Sequence, residues 1–171
     1  SARARRQPEQ QAPPVQRLRV RYPKRGTARF TSHRDFSRAF ERALRRAGIP
    51  MAYSSGFNPH PRISYANASA TGAATEAEYL EIGLSEVCDP GLVAAALDAA
   101  LPPGLCVLRV VPAAGAGLAG RLEASRWVVR ADVDEPVAKS AIDAFLAAEG
   151  VIVQRMTKNG VRDFDARGAV V

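Results

Sequence analysis

The stretch Ser32–Gly48 constrains the fold more than any other part of this chain, because its pattern fits a helix with one buried side and one basic side. Phe36, Ala39, Phe40, Ala43, Leu44 and Ala47 recur at helical spacing and make one continuous apolar face. Ser32 followed by Asp35 has the form of a capping box, with Asp in the usual Glu/Gln position. Gly48 suits the residue just past a helix end, and Pro50 prevents continuation. At about 100° per residue, Arg34, Arg38, Arg42, Arg45 and Arg46 fall within an arc of roughly 120° opposite the apolar face. Such a helix needs a sheet or another helix to cover its phenylalanines. It leaves five guanidinium groups pointing elsewhere.

The flanking sequence supplies the sheet. Arg17–Tyr22 alternates basic and apolar residues, the period of a strand with one buried face. Pro23-Lys24-Arg25-Gly26 reads as a turn, after which Thr27–Phe30 could extend or pair with that strand. Beyond the helix, Arg62–Tyr65 and Ala77–Leu84 read as strands and Gly91–Leu101 as a helix opened by Asp89-Pro90. Leu105–Val111 then reads as a buried strand. The order strand, helix, strand, strand, helix, strand predicts an α+β, ferredoxin-like βαββαβ fold, an antiparallel sheet with both helices on one face. Residues 17–111 form this basic domain, and the glycine- and alanine-rich residues 112–124 form a linker. In residues 125–171, Arg126–Val133, Pro136–Glu149, Val151–Met156 and Val161–Phe164 read as strand, helix, strand and strand, with Asn159-Gly160 at a hairpin turn. Trp127, Val137, Ile142, Phe145 and Leu146 are the expected core of this second, partial ferredoxin-like unit, which stops without a closing helix and would fit truncation.

Charge is distributed unevenly. Residues 1–46 hold fourteen Lys/Arg against three acids, a local net of +11, whereas the remainder holds ten against fourteen, a net of −4. An anionic partner for the N-terminal part is the natural inference, although an arginine stripe also suits a solvated face. Residues 1–16 are charged and rich in Pro and Gln, too polar to bury a core, and read as a disordered tail. No apolar run approaches the ~18 residues of a membrane span, and no signal-like segment opens the chain. Two cysteines, Cys88 and Cys106, make no disulfide framework, which suits a reducing, cytoplasmic setting.

Candidate contact residues cluster in the basic domain. The five helix arginines can hold phosphates, with Lys24, Arg25 and Arg29 extending the track. The loop Gly56–Pro61 holds His60 between two prolines, so Asn58 and His60 could orient a substrate, flanked by Tyr53, Phe57 and Arg62. His33 opens the helix beside Asp35, where a proton-transfer pair can be drawn. The plainer alternative is that Asn58 and His60 bond to their own loop. A zinc site from His33, His60, Cys88 and Cys106 lacks any ligand spacing that zinc motifs use, and Pro112–Gly120 lacks the ending of a phosphate loop. No metal or cofactor is expected.

The block Ser32–Ser64 (SHRDFSRAFERALRRAGIPMAYSSGFNPHPRIS), together with AEYLEIGL and TKNGVRDFDAR, resembles the bacterial radical SAM-associated (radical SAM-linked) family of unknown function. The resemblance runs from near Arg17 over most of the chain, and the family usually continues past this chain's last residue. It implies work beside a radical SAM enzyme, as a neighbour or a fused domain. It also implies an RNA-related role, since relatives tend to be encoded beside ribosome and RNA-processing genes. With two cysteines eighteen positions apart, the chain cannot hold a radical SAM cluster, which needs three closely spaced thiolates. The expected function is therefore an RNA-binding or substrate-presenting accessory in tRNA or rRNA modification. Two alternatives stay open: a module docking on the radical SAM partner without RNA, and a small RNA-acting enzyme using His33 and His60.

Overall fold

A computed structural model describes residues 10–66 and 68–171. The chain divides into two compact units, Ser1–Ser125 and Arg126–Val171.

The first unit runs β1 (Gln16–Lys24), α1 (His33–Arg46), β2 (Ile63–Tyr65), β3 (Thr75–Leu84), α2 (Pro90–Ala100) and β4 (Arg109–Pro112). The strands lie in the order β2-β3-β1-β4 with every neighbour antiparallel, the ferredoxin-like arrangement. Alternation along the strands decides which side meets the helices. Leu18, Val20 and Tyr22 of β1 pair across with Ile82, Leu80 and Glu78 of β3, and this side joins Phe36, Phe40, Ala43 and Leu44 of α1 and Val93 and Leu97 of α2 in the core. The Tyr22 ring stacks on Phe36 with centroids 4.4 Å apart, a geometry that adds to simple burial. Burial pushes the Tyr22 phenol far above its ordinary range, with the nearby Glu78 carboxylate adding to the rise.

Both helices begin on side-chain caps. Ser32 Oγ accepts from the Asp35 N–H at 3.1 Å and donates to Asp35 Oδ2 at 2.7 Å. Asp89 Oδ1 accepts from the Leu92 N–H at 2.9 Å, with Pro90 at the first helical position. After α1, Gly48 adopts φ +66°, the left-handed turn that a side chain would resist.

Several boundaries differ from the sequence expectation. Thr27–Phe30 does not extend β1, because Gly26–Phe30 coils into a 3₁₀ turn. The last strand is Arg109–Pro112 rather than Leu105–Val111. The N–H groups of Leu105 and Val107 go to Pro102 O and Asp98 Oδ1, so the ladder with β1 begins only where Leu108 N–H meets Arg21 O. The disordered stretch expected at 1–16 falls, for 1–9, outside the described residues. Residues 10–16 are held: Gln11 N–H donates to Ser55 Oγ and Val15 N–H to Leu84 O.

The second unit holds α3 (Glu135–Ala147) and the hairpin β5 (Ile152–Thr157) and β6 (Gly160–Asp165). The expected strand Arg126–Val133 is not formed, because β5 pairs with β6 alone and offers this segment no ladder among the described residues. Trp127, Val137, Ile142 and Leu146, expected as core, stay exposed, and Phe145 is half-buried. The hairpin loop is Lys158-Asn159, and Gly160 carries the positive φ of +102° at the start of β6. No helix among the described residues is long and apolar enough to cross a membrane.

Candidate anion-binding surfaces

The apolar face of α1 is docked on the sheet, which fixes where its arginines point. Arg34, Arg38, Arg42, Arg45 and Arg46 are all exposed. None belongs to an ion pair among the described residues. Arg46 reaches the end of α2, where its Nη1 donates to Ala100 O at 3.4 Å. Of the two acids on this helix, Asp35 is taken up by the Ser32 cap and Glu41 is half-buried. A row of guanidinium groups without bound carboxylates has its charge available to phosphate.

The preceding turn does not continue that row as expected. Lys24 is only 3% exposed, with Nζ 5.9 Å from the centroid of the Phe36 ring, so it belongs to the interior. Arg25 is held by both carboxylate oxygens of Glu76. That contact pulls the Glu76 carboxyl below the usual glutamate range and raises Arg25 further. Arg29 is half-buried with its guanidinium 4.8 Å over the Phe30 ring.

The loop after α1 is closed by its own backbone. Tyr53 bridges Pro61, Ser54 N–H donates to His60 O at 2.8 Å, and His60 N–H donates to Ser54 Oγ at 3.0 Å. Arg62 Nε donates to Tyr53 O at 3.0 Å and straps the loop base. Phe57, 78% exposed, and Asn58 sit at the tip. The two histidines are not brought together. His33 stands edge-on to the Tyr65 ring at 4.8 Å, on the helix side of the sheet, whereas His60 lines a cleft on the other side with Arg17, Ser64 and Glu81. Burial raises the Tyr65 phenol above its ordinary range. Among the described residues no group of three or more His, Cys, Asp or Glu could hold a metal ion.

The side of the sheet away from the helices carries residues that the sequence reading left out of the site. Arg21 lies between Tyr79 and Arg109 in one row across the strands, and Arg19 between Glu81 and Val111 in the next. Glu81 takes Arg19 Nε at 3.2 Å and Arg17 Nη1 at 3.5 Å. The alternation of Arg17, Arg19 and Arg21 placed them on one side of a strand. That this side is the one without helices follows only from the order of elements around it.

The bacterial family described as uncharacterized protein conserved in bacteria (DUF2344) matches residues 17–171. No curated protein matches the chain.

Proposed function

The chain belongs to this DUF2344 family, and we propose that it is an RNA-binding accessory protein that holds RNA phosphates along the exposed arginine face of α1. The observation that carries the reading is the set Arg34, Arg38, Arg42, Arg45 and Arg46, exposed on one helix and outside every ion pair among the described residues. Arginine forks match phosphate oxygens in pairs, and a row of them neutralises several phosphates at once with release of counterions. The resemblance to radical SAM-linked proteins supplies the working partner, a radical SAM enzyme modifying tRNA or rRNA to which this chain presents the substrate. The two free cysteines suit the cytoplasm where such enzymes work.

Electrophoretic mobility shifts with tRNA and rRNA fragments over a salt series test the reading. Wild-type binding should weaken with salt at a slope of about −0.7 per phosphate contacted on single strands. Reversing Arg38, Arg42 and Arg45 to Glu should abolish the shift at moderate salt and flatten the slope by about two. Binding that survives the triple reversal, or its absence at low salt, would sink the proposal. Co-purification of the radical SAM enzyme that resists nuclease and is lost in the same variant would instead assign the arginine face to protein docking.

A further inference from the structure

We propose that the cleft on the helix-free side of the sheet is a separate site for a phosphate monoester, the group carried by a nucleoside monophosphate and by the 5′ end of an RNA. The cleft measures about 290 Å³, at the small end of ligand pockets, which suits one nucleotide-sized anion rather than a strand. Its lining includes Arg17, Arg62, His60, Ser54 and Ser64, with Glu81 as its carboxylate.

The charge balance favours an anion. Glu81 is held by Arg19, and these two side chains are only 12% and 11% exposed, while Arg19 Nη2 is further fixed on Ala116 O at 2.7 Å. Glu81 is therefore already compensated. Arg17, with its side chain 61% exposed and 3.5 Å from Glu81, is the looser partner and is free to turn to a stronger acceptor. Arg62 commits only Nε, to Tyr53 O, among the described residues. That bond sets the plane of the guanidinium and leaves its two terminal nitrogens as a fork.

The shape of the cleft depends on a glycine. Gly83 pairs with Arg17 across β1 and donates its N–H to Arg62 O, so it separates the two arginines on the sheet surface. A Cβ there would stand 3.0 Å from Pro14 Cβ and 3.2 Å from Arg62 Cβ, pushing apart the walls that glycine lets approach. On the loop side, Ser54 N–H donates to His60 O and His60 N–H to Ser54 Oγ, which holds both residues at the rim. Two guanidinium groups, an imidazole and two hydroxyls outnumber the acceptors of a carboxylate. They match the three terminal oxygens and the double charge of a phosphate monoester. A second cleft of about 350 Å³, beside α1 and the Pro102–Leu105 turn, has Asp35 as its charged side chain and is unsuited to an anion.

This site lies across the sheet from α1 and does not rest on the RNA reading. Isothermal titration of the full chain with adenosine 5′-monophosphate and with adenosine tests it, followed by short RNAs bearing a 5′-phosphate or a 5′-hydroxyl. The monophosphate should bind and the nucleoside should not. Arg17→Gln and His60→Ala, both at exposed positions, should each weaken the monophosphate by about tenfold, the loss of one charge-assisted contact. Arg38→Glu with Arg42→Glu should leave it unchanged even where RNA binding is lost. A preference for the 5′-phosphorylated RNA that disappears in Arg17→Gln identifies an RNA end as the source. Equal binding of the two RNAs, with the monophosphate still dependent on Arg17, identifies a free nucleotide. The site is overturned if monophosphate and nucleoside bind alike or neither binds. It is overturned equally if monophosphate binding survives both cleft substitutions.

Discussion

Asp165 closes β6 and accepts the N–H of Val151 at 2.8 Å and that of Arg167 at 3.0 Å, so one carboxylate ties the start of β5 to the turn after β6. Gly168 is packed so close that a Cβ there would lie 2.9 Å from Asp165 Oδ2. The backbone N–H groups favour the charged carboxylate and hold it below the usual aspartate range, Val151 contributing most. A carboxyl depressed in the folded state stabilises it fully above the unfolded value of about 3.9, and that contribution is lost as pH falls toward the depressed value. Acidification below about pH 4 should therefore lower the protection of the Val151 and hairpin amides, read as exchange relative to the intrinsic rate at each pH. Asp165→Asn should exchange faster at neutral pH and lose most of that pH dependence. A variant with the wild-type acid profile would remove Asp165 from this role.

Helix α1 couples the core to the charged surface, since the docking of its phenylalanines fixes where its arginines point. Phe40 is fully buried against the sheet, its ring 6.4 Å from that of Tyr22, and its truncation to Ala should cost about 3–5 kcal/mol by chemical denaturation. Ser32→Ala removes the cap and should cost about 1 kcal/mol, leaving Arg34–Arg46 otherwise in place. This helix was legible in the sequence because period, cap and terminator all agreed on it. The strand Leu105–Val111 was less so: an apolar run looks the same whether its N–H groups meet a neighbouring strand or, as here, Asp98 and Pro102. The basic turn misled for a related reason. Sequence gives the charge of Lys24 and Arg25, but only the fold shows Lys24 over Phe36 and Arg25 in the grip of Glu76, fifty-one positions away. Of the cleft around Gly83 only His60 and Arg62 stood out in the sequence, since the fold alone brings their loop to Pro14 and Arg17 of the N-terminal segment and to Glu81 of β3.

Across the whole molecule, burial separates the two units. Every side chain of the hydrophobic core lies in the first, from Leu18 to Val110, and no residue of Arg126–Val171 is buried. Stability follows apolar area removed from water, and a small unit without a dry core has little margin beyond its backbone bonds and local pairs such as Lys139–Asp143. An exposed i, i+4 pair adds only about 0.3–0.5 kcal/mol. The six-rung ladder between β5 and β6 is likewise a lone hairpin, which is marginal in water. Opening free energy should thus be graded along the chain. Hydrogen exchange read by mass spectrometry should find the slowest amides at Leu18–Arg21 and Leu80–Ile82, where both central strands are paired on each side. Amides in α3, β5 and β6 should exchange well before them, and mild denaturant should release the second unit while the first keeps its protection. Uniform protection over both units, lost in one cooperative step, would contradict the division, because it would require Arg126–Val171 to draw on burial that its own side chains do not provide.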